Sequence, residues 1–108
     1  MWITRESEAT FQKFATQFPA TVLTGPRQVG KTSTLLRVFP EYDYVSLDLP
    51  YNAAQAEENP ETFLASHADH LIIDEVQYAP SLFRYLKSNI DQNRRPGRFL
   101  LTGSQHLQ

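Results

Sequence analysis

The sequence predicts an α/β fold in which a parallel sheet is covered by helices on both faces. Short apolar, β-branched runs alternate along the chain with stretches of helical periodicity, and prolines separate many of them. Three of the apolar runs, VLT, LIID and FLLTG, contain few polar residues, which is typical of strands buried on both faces. With 108 residues, the chain has the length of one domain.

Four strands are predicted, at residues 20–24, 42–49, 70–77 and 99–104. The first is preceded by a helix over residues 6–18, whose phenylalanines recur at helical spacing. Further helices are predicted at residues 31–39, within residues 51–67 as two short helices that meet at Pro60, and after Pro80. Strands and helices thus alternate through the whole chain.

Composition excludes several classes of protein. The chain has no cysteine, which excludes disulfides and thiolate metal sites. It has no signal-peptide pattern, and no run approaches the roughly 18 apolar residues of a membrane span. We therefore expect a soluble, cytoplasmic chain without a membrane partner. Acidic residues are concentrated at positions 41–75 and basic ones on either side, which suits an anion site in a flank and a cation site in the middle.

The segment TGPRQVGKTS matches the phosphate-loop pattern G-x-x-x-x-G-K-[ST]. Glycines allow the backbone to approach a phosphate, and the helix that follows directs its N-terminal N–H groups at the anion. Lys31 would reach the β- and γ-phosphates, and the Thr32 hydroxyl would ligate Mg²⁺. The predicted nucleotide contacts are Gly25, Pro26, Arg27, Gln28, Val29, Gly30, Lys31, Thr32 and Ser33. For Arg27, a phosphate contact, a contact to a neighbouring subunit and a solvent-exposed side chain all stay open.

Two acidic residues end the third predicted strand, in the segment LIIDE. Because ligands bind at the carboxyl ends of parallel strands, we expect both acids beside the phosphate loop. Asp74 is the predicted Mg²⁺ ligand, acting through water next to Thr32, and Glu75 is the predicted general base for the attacking water. The alternative is a strand end with ordinary surface acids.

The last predicted strand brings Thr102, Ser104 and Gln105 to the same edge of the sheet. Ser104 is the favoured contact to the γ-phosphate or to the attacking water, although an ordinary Gly-Ser turn explains the residues equally well.

Two other clusters carry weaker hypotheses. Arg94, Arg95 and Arg98 are interpreted as a solvated turn, with a neighbouring nucleotide or nucleic acid as the alternatives. The histidines at positions 67 and 70 have no suitably spaced fourth ligand, so we expect no metal site there.

In this order and spacing, the segments TGPRQVGKTS, YVSLD, LIIDEVQYAP and PGRFLLTGSQ resemble the AAA+ superfamily of P-loop ATPases. They look most like prokaryotic AAA-domain proteins that carry a C-terminal domain of unknown function. The resemblance implies a three-layer P-loop NTPase core, with ATP and Mg²⁺ as cofactors and the sheet order 5-1-4-3-2. Residues 25–32 match its Walker A motif, Asp74 and Glu75 match Walker B, and Ser104 matches the sensor 1 region.

The chain also departs from this superfamily, because it ends after the fourth predicted strand, which leaves the order 1-4-3-2. The fifth strand, arginine finger, second sensor, lid and C-terminal domain would lie beyond Gln108. We therefore expect residues 1–108 to be the N-terminal part of an AAA+ ATPase domain, with an exposed edge at the strand that precedes the phosphate loop. The implied partners are ATP, the missing C-terminal domain or a partner protein, and further copies of the chain.

The preferred function is an ATPase whose hydrolysis drives an attached or partner domain, slow or absent in these 108 residues. The main alternative is a nucleotide-binding switch without catalysis. A GTPase is disfavoured because no Asn-Lys-x-Asp segment is present, and a small-molecule kinase because Glu75 suits activation of water. The acidic balance argues against nucleic-acid binding as a function by itself.

Overall fold

The computed structural model describes residues 2–4, 13, 15, 17–24, 31–67, 70–89 and 98–103. The elements, in chain order, are β1 (Trp2–Thr4), β2 (Ala20–Thr24), α1 (Lys31–Val38), β3 (Asp43–Ser46), α2 (Pro50–Glu58), α3 (Pro60–Ala65), β4 (Leu71–Asp74), a 3-10 helix (Val76–Tyr78), α4 (Pro80–Asn89) and β5 (Phe99–Gly103). Positions 13 and 15 are helical, in agreement with the helix predicted before β2. The rest of that helix lies outside the described residues.

The strands form one sheet in the order β1-β2-β5-β4-β3, and every described pair of neighbours is parallel. The α/β fold class and the relative order of the four predicted strands are therefore confirmed. β5 occupies the centre, with Leu101 opposite Val22 of β2 on one side and Ile73 of β4 on the other. The last strand in the sequence thus lies between the two strands that end in the predicted phosphate loop and the predicted acids.

The expectation of an open edge at β2 is wrong. β1 pairs with it in parallel, with Trp2 opposite Thr21 and Thr4 opposite Leu23. The segment WIT has the aromatic and β-branched residues that favour strands, but three residues are too few to be recognised by alternation. β1 thus supplies hydrogen-bond partners to the strand that leads into residues 25–30.

The two faces of the sheet bury different clusters, because successive residues of a strand point to opposite sides. The larger cluster joins the strands to helices α2, α3 and α4 and includes Val22, Val45, Ala56, Phe63, Leu71, Ile73, Leu82, Phe83, Leu86 and Leu101. The smaller cluster joins Leu23, Ile72 and Leu100 to Leu35 of α1 and to Ala15. The molecule therefore has three layers, and α1 covers the face opposite to the other three described helices.

Helices α2, α3 and α4 are short, and each begins with a proline. The two short helices predicted within residues 51–67 are present as α2 and α3, and Asn59 separates them. The Glu57 carboxylate of α2 accepts hydrogen bonds from the Ser81 hydroxyl (2.7 Å) and the Ser81 backbone N–H (2.8 Å) in the first turn of α4. These two bonds hold the pKa of Glu57 below its usual value. Within the described ranges, none of the helices has the length and hydropathy that a membrane crossing requires.

Substitutions at two adjacent leucines test the packing of α1. Leu35 is 1% exposed and Leu36 is 43% exposed. Leu35→Ala is expected to lower the free energy of unfolding by about 2–5 kcal/mol through lost burial and a cavity. Leu36→Ala, the matched control, should change it by about 0.5 kcal/mol or less. Urea unfolding followed by circular dichroism measures both, and equal losses would contradict the assigned buried face of α1.

Candidate functional site

The carboxyl ends of the described strands meet at one edge of the sheet, because all of them run in the same direction. Thr24 at the end of β2 lies opposite Gly103 at the end of β5, and Ser46 of β3 lies opposite Asp74 of β4. This edge is the place at which parallel sheets bind their ligands.

The C-terminal end of α1 lies near the opposite edge. Phe39, just after α1, contacts Tyr42, which in turn contacts His70 ahead of β4. The N-terminus of α1 at Lys31 therefore faces the carboxyl edge.

The predicted site residues are described only in part. Residues 25–30, which include Gly25, Pro26, Arg27, Gln28, Val29 and Gly30, lie outside the described residues, and so do Ser104 and Gln105. Lys31, Thr32 and Ser33 form the first turn of α1. The Thr32 side chain is partly buried and that of Ser33 is exposed. Asp74 and Glu75 are both buried at the end of β4.

Asp74 lies on the sheet face that α1 covers. Ile72, two residues earlier in β4, belongs to the cluster formed with Leu35 of α1, and residues two apart in a strand share a face. By the same alternation, Thr102 shares this face with Leu100 of β5. On this face, the aliphatic side chains of the strands are therefore followed at the strand ends by the polar side chains of Asp74 and Thr102. Both lie on the same side of the sheet as the first turn of α1.

Both oxygens of the Asp74 carboxylate accept hydrogen bonds from hydroxyl groups. The Thr102 hydroxyl of β5 donates to Oδ1 over 2.5 Å, and the Tyr44 hydroxyl of β3 donates to Oδ2 over 2.8 Å. Asp74 is only 7% exposed, so these bonds replace water that the carboxylate loses on folding. The Asp74 carboxylate is thus hydrogen-bonded to both strands that flank β4.

Thr102 makes a second contact that links both acids. Its hydroxyl oxygen accepts a hydrogen bond of 2.8 Å from the backbone N–H of Glu75. One fully buried hydroxyl therefore donates to the side chain of Asp74 and accepts from the backbone of the next residue. This pair of bonds fixes the position at which the chain leaves β4.

Glu75 has a left-handed backbone, with φ 58° and ψ 53°, and it is the one non-glycine residue with positive φ in the described part of the chain. This conformation costs a non-glycine residue about 1–2 kcal/mol. It turns the chain from β4 directly into the 3-10 helix, so that Val76 and Ala79 become fully buried. Strain of this kind is commonly found at functional sites.

The Glu75 side chain is held at this turn. Its Oε1 accepts a hydrogen bond of 2.8 Å from the Gln77 amide, and the side chain is largely buried. An oriented carboxylate at the edge of the sheet can accept a proton or align a water molecule.

Tyr44 keeps its proton well above neutral pH. Burial, followed by the hydrogen bond to Asp74 and the charge of Asp74, raises the pKa of Tyr44 from 10.0 to about 12, with Ser46 acting in the opposite direction and the charge of Glu75 in the same one. The phenol is therefore a hydrogen-bond donor to Asp74 throughout the physiological range.

The described members of the histidine and arginine clusters noted in the sequence lie away from the contacts of Asp74 and Glu75. His67 Nδ1 is 3.2 Å from Asp43 Oδ2, and the His67 ring packs against Phe63. Arg98 lies over the ring of Phe99, whereas Arg94 and Arg95 lie outside the described residues. In the described ranges, no three His, Cys, Asp or Glu side chains are grouped as a metal site.

Sequence reasoning missed Tyr44 and Gln77 as members of this site, and it ranked Thr102 below Ser104. Alternation within β5 places Thr102 two residues beyond the buried Leu100, which is a signal that could have found it. For Tyr44 the sequence offers no comparable signal. Tyr42 and Tyr44 are two residues apart, so both would lie on the same face of the predicted strand, and alternation does not distinguish them.

The two buried threonines of neighbouring strands provide a test of the Thr102 contacts. Thr102→Val would leave the Glu75 N–H and one Asp74 oxygen without this partner, at a cost of about 1–3 kcal/mol for each group left unsatisfied. Thr21→Val is the control: Thr21 is equally buried and its hydroxyl has no hydrogen-bond partner among the described residues, so the change should be neutral or stabilising. Urea unfolding compares the variants, and a neutral Thr102→Val would refute the bridging role.

The raised pKa of Tyr44 makes stability depend on alkaline pH. The folded chain holds this proton more tightly than the unfolded chain, so the contribution is complete below about pH 10 and is lost as pH rises from about 10 to about 12. We expect the free energy of unfolding to fall less steeply over this range in Tyr44→Phe than in the unaltered chain. Tyr51→Phe, which removes a hydroxyl from a ring that is 74% exposed, is the control and should keep the original slope.

Comparison with known proteins agrees with this fold. A family model described as an AAA domain matches residues 17–108. Two uncharacterized proteins, from Mycobacterium bovis and Mycobacterium tuberculosis, are each 35% identical to the chain over 104 residues. The alignment covers 93% of this chain but 23% of each relative, so the chain spans about a quarter of their length. No solved structure matches the chain significantly.

The family match spans most of the chain and includes β2 to β5, α1 and the strand ends at which the polar side chains meet. The chain belongs to the AAA domain family, a group of P-loop ATPase-like, nucleotide-binding domains.

Proposed function

We propose that the chain binds ATP together with Mg²⁺ at the carboxyl edge of the sheet, and that the whole protein hydrolyses the nucleotide. The observation that carries the proposal is the pair Asp74 and Glu75, buried at the end of β4 on the edge to which the phosphate-loop sequence also leads. Membership in the AAA domain family supports nucleotide binding in general.

In this proposal, residues 25–30 surround the phosphates with backbone N–H groups, and the N-terminus of α1 adds its partial positive charge. Lys31 contacts the β- and γ-phosphates, while Thr32 and Ser33 contribute hydroxyls from the first turn. Thr24 at the end of β2 is buried and pairs with Gly103, which gives the loop a rigid starting point.

The donor groups at this edge suit Mg²⁺. The cation prefers hard oxygen ligands and usually takes one or two protein ligands, with phosphate oxygens and water completing its coordination. The Thr32 hydroxyl and the Asp74 carboxylate provide such oxygens. Bound Mg²⁺ would neutralise charge on the phosphate oxygens.

Glu75 is the proposed general base that orients the attacking water. Its carboxylate is fixed by Gln77, and its backbone is fixed by Thr102. A base of this kind acts mainly by position, because the water must be aligned with the γ-phosphate. Ser104, which directly follows β5, is proposed to contact the γ-phosphate.

The whole protein is proposed to couple hydrolysis to further domains or to other copies of the chain. The curated relatives are about four times longer than the matched region, so the present residues correspond to a part of them. A nucleotide-binding switch without catalysis is the second candidate. It is favoured by the hydrogen bonds that Tyr44, Thr102 and Gln77 donate to the carboxylates of both acids.

The proposal is tested by calorimetric titration with ATP and with GTP, each with Mg²⁺, and by phosphate release. We expect ATP binding that Lys31→Ala abolishes and that Lys87→Ala, a change at the exposed end of α4, preserves. Glu75→Gln should keep binding but lower any turnover by about 10²-fold or more. Glu58→Gln, at an exposed glutamate of α2, is its control.

The outcomes separate the two candidates. Turnover that Glu75→Gln lowers would favour the ATPase. Binding without turnover above background in the whole protein, in its unaltered form and in Glu75→Gln alike, would favour the switch. A folded chain that binds neither nucleotide would reject both.

A further inference from the structure

The Tyr44 side chain spans a diagonal between two strands. Its Cα lies opposite Ile72 in the register of β3 and β4, yet its hydroxyl reaches the carboxylate of Asp74, two residues further along β4. Long aromatic side chains can bridge such diagonal positions in a sheet. The ring packs against the cluster of Leu23, Leu35, Ile72 and Leu100, which holds it below the edge.

The two hydroxyls restrain a torsion that is otherwise soft. Rotation of an aspartate carboxylate about its last bond is broad and nearly two-fold. Thr102 on Oδ1 and Tyr44 on Oδ2 approach from opposite neighbouring strands, so that rotation in either direction would lengthen one of the bonds. A carboxylate has about four lone-pair sites, so two remain for water or for a cation.

Tyr44 and Thr102 differ in what else they hold. Thr102 also accepts the backbone N–H of Glu75, so its removal alters the chain path. The Tyr44 hydroxyl donates a hydrogen bond to the carboxylate and also interacts with the Ser46 side chain, and its ring has a separate apolar role. Removal of the phenolic oxygen alone therefore changes the orientation of Asp74 with little effect on packing.

We propose that Tyr44 is a positioning residue that orients the Asp74 carboxylate for a hydrated divalent cation bound with the nucleotide. The inference rests on the proposed function and extends it to a residue of β3, outside the phosphate loop and the acidic pair. A side chain that only stabilised the fold would affect nucleotide binding with and without the cation to the same extent. A positioning residue affects the part that depends on the cation.

The test is calorimetric titration of the chain with a non-hydrolysable ATP analogue, in EDTA and over a series of Mg²⁺ concentrations. In Tyr44→Phe the affinity for the analogue in EDTA should stay within about twofold of that of the unaltered chain. The Mg²⁺ concentration that gives half of the Mg²⁺-dependent gain in affinity should rise about tenfold, which is the lower end of the loss in metal affinity when an outer-sphere partner is removed. Tyr42→Phe is the matched control, because this ring packs on the same cluster but contacts Phe39 and His70. It should leave both quantities unchanged.

Each outcome bears on the inference. An unchanged Mg²⁺ dependence in Tyr44→Phe would overturn it and leave the proposed function intact. Equal losses in EDTA and in Mg²⁺ would also overturn it, because they would assign the hydroxyl to the fold or to the nucleotide itself. If the unaltered chain binds no analogue under either condition, the proposed function fails and this inference fails with it.

Discussion

The central constraint on this molecule is the burial of a carboxylate at the end of an apolar strand. Asp74 is nearly enclosed, and an ionised group in that place is costly unless hydrogen bonds replace its water. Hydroxyls from both flanking strands meet the requirement, so β3 and β5 must keep the register that brings Tyr44 and Thr102 to the same side chain. The aliphatic clusters beneath hold this register, because a slip of one residue would turn apolar side chains toward the wrong face.

The same constraint explains the strained residue that follows. The Glu75 N–H points to the Thr102 hydroxyl, and the chain then turns inward so that Val76 is fully buried. The left-handed backbone of Glu75 costs about 1–2 kcal/mol, which the hydrogen bond and the burial of Val76 offset. The two adjacent acids consequently play different parts: Asp74 is clamped between strands, whereas Glu75 is held at a turn by Gln77.

The two faces of the sheet differ in the side chains that they carry. Three helices, α2 to α4, cover one face with the larger apolar cluster. The other face is covered by α1 together with the helical residue Ala15, and it also carries the polar side chains. α1 begins with the last residues of the phosphate-loop motif. It packs on the same face of the sheet as the Asp74 side chain. This arrangement supports the proposed nucleotide site, and the pairing of β1 with β2 stabilises the strand from which that site begins.

Local patterns were sufficient to predict that the four longer strands exist, the short helices around Pro60 and the place of Asp74 and Glu75 at a strand end, because alternation, proline positions and motif spacing are properties of neighbouring residues. The strands predicted at 42–49 and 70–77 were too long, since they span Asp43–Ser46 and Leu71–Asp74. The resemblance supplied the strand order. β1 escaped prediction because three residues carry too little periodicity. The partners of Asp74 lie 28 and 30 positions away, and which hydroxyls reach it depends on strand register and pleat. Those are fixed only when the strands pair and both faces pack. The sequence could place Thr102 at this edge, but only the tertiary structure showed that it and Tyr44 bind Asp74.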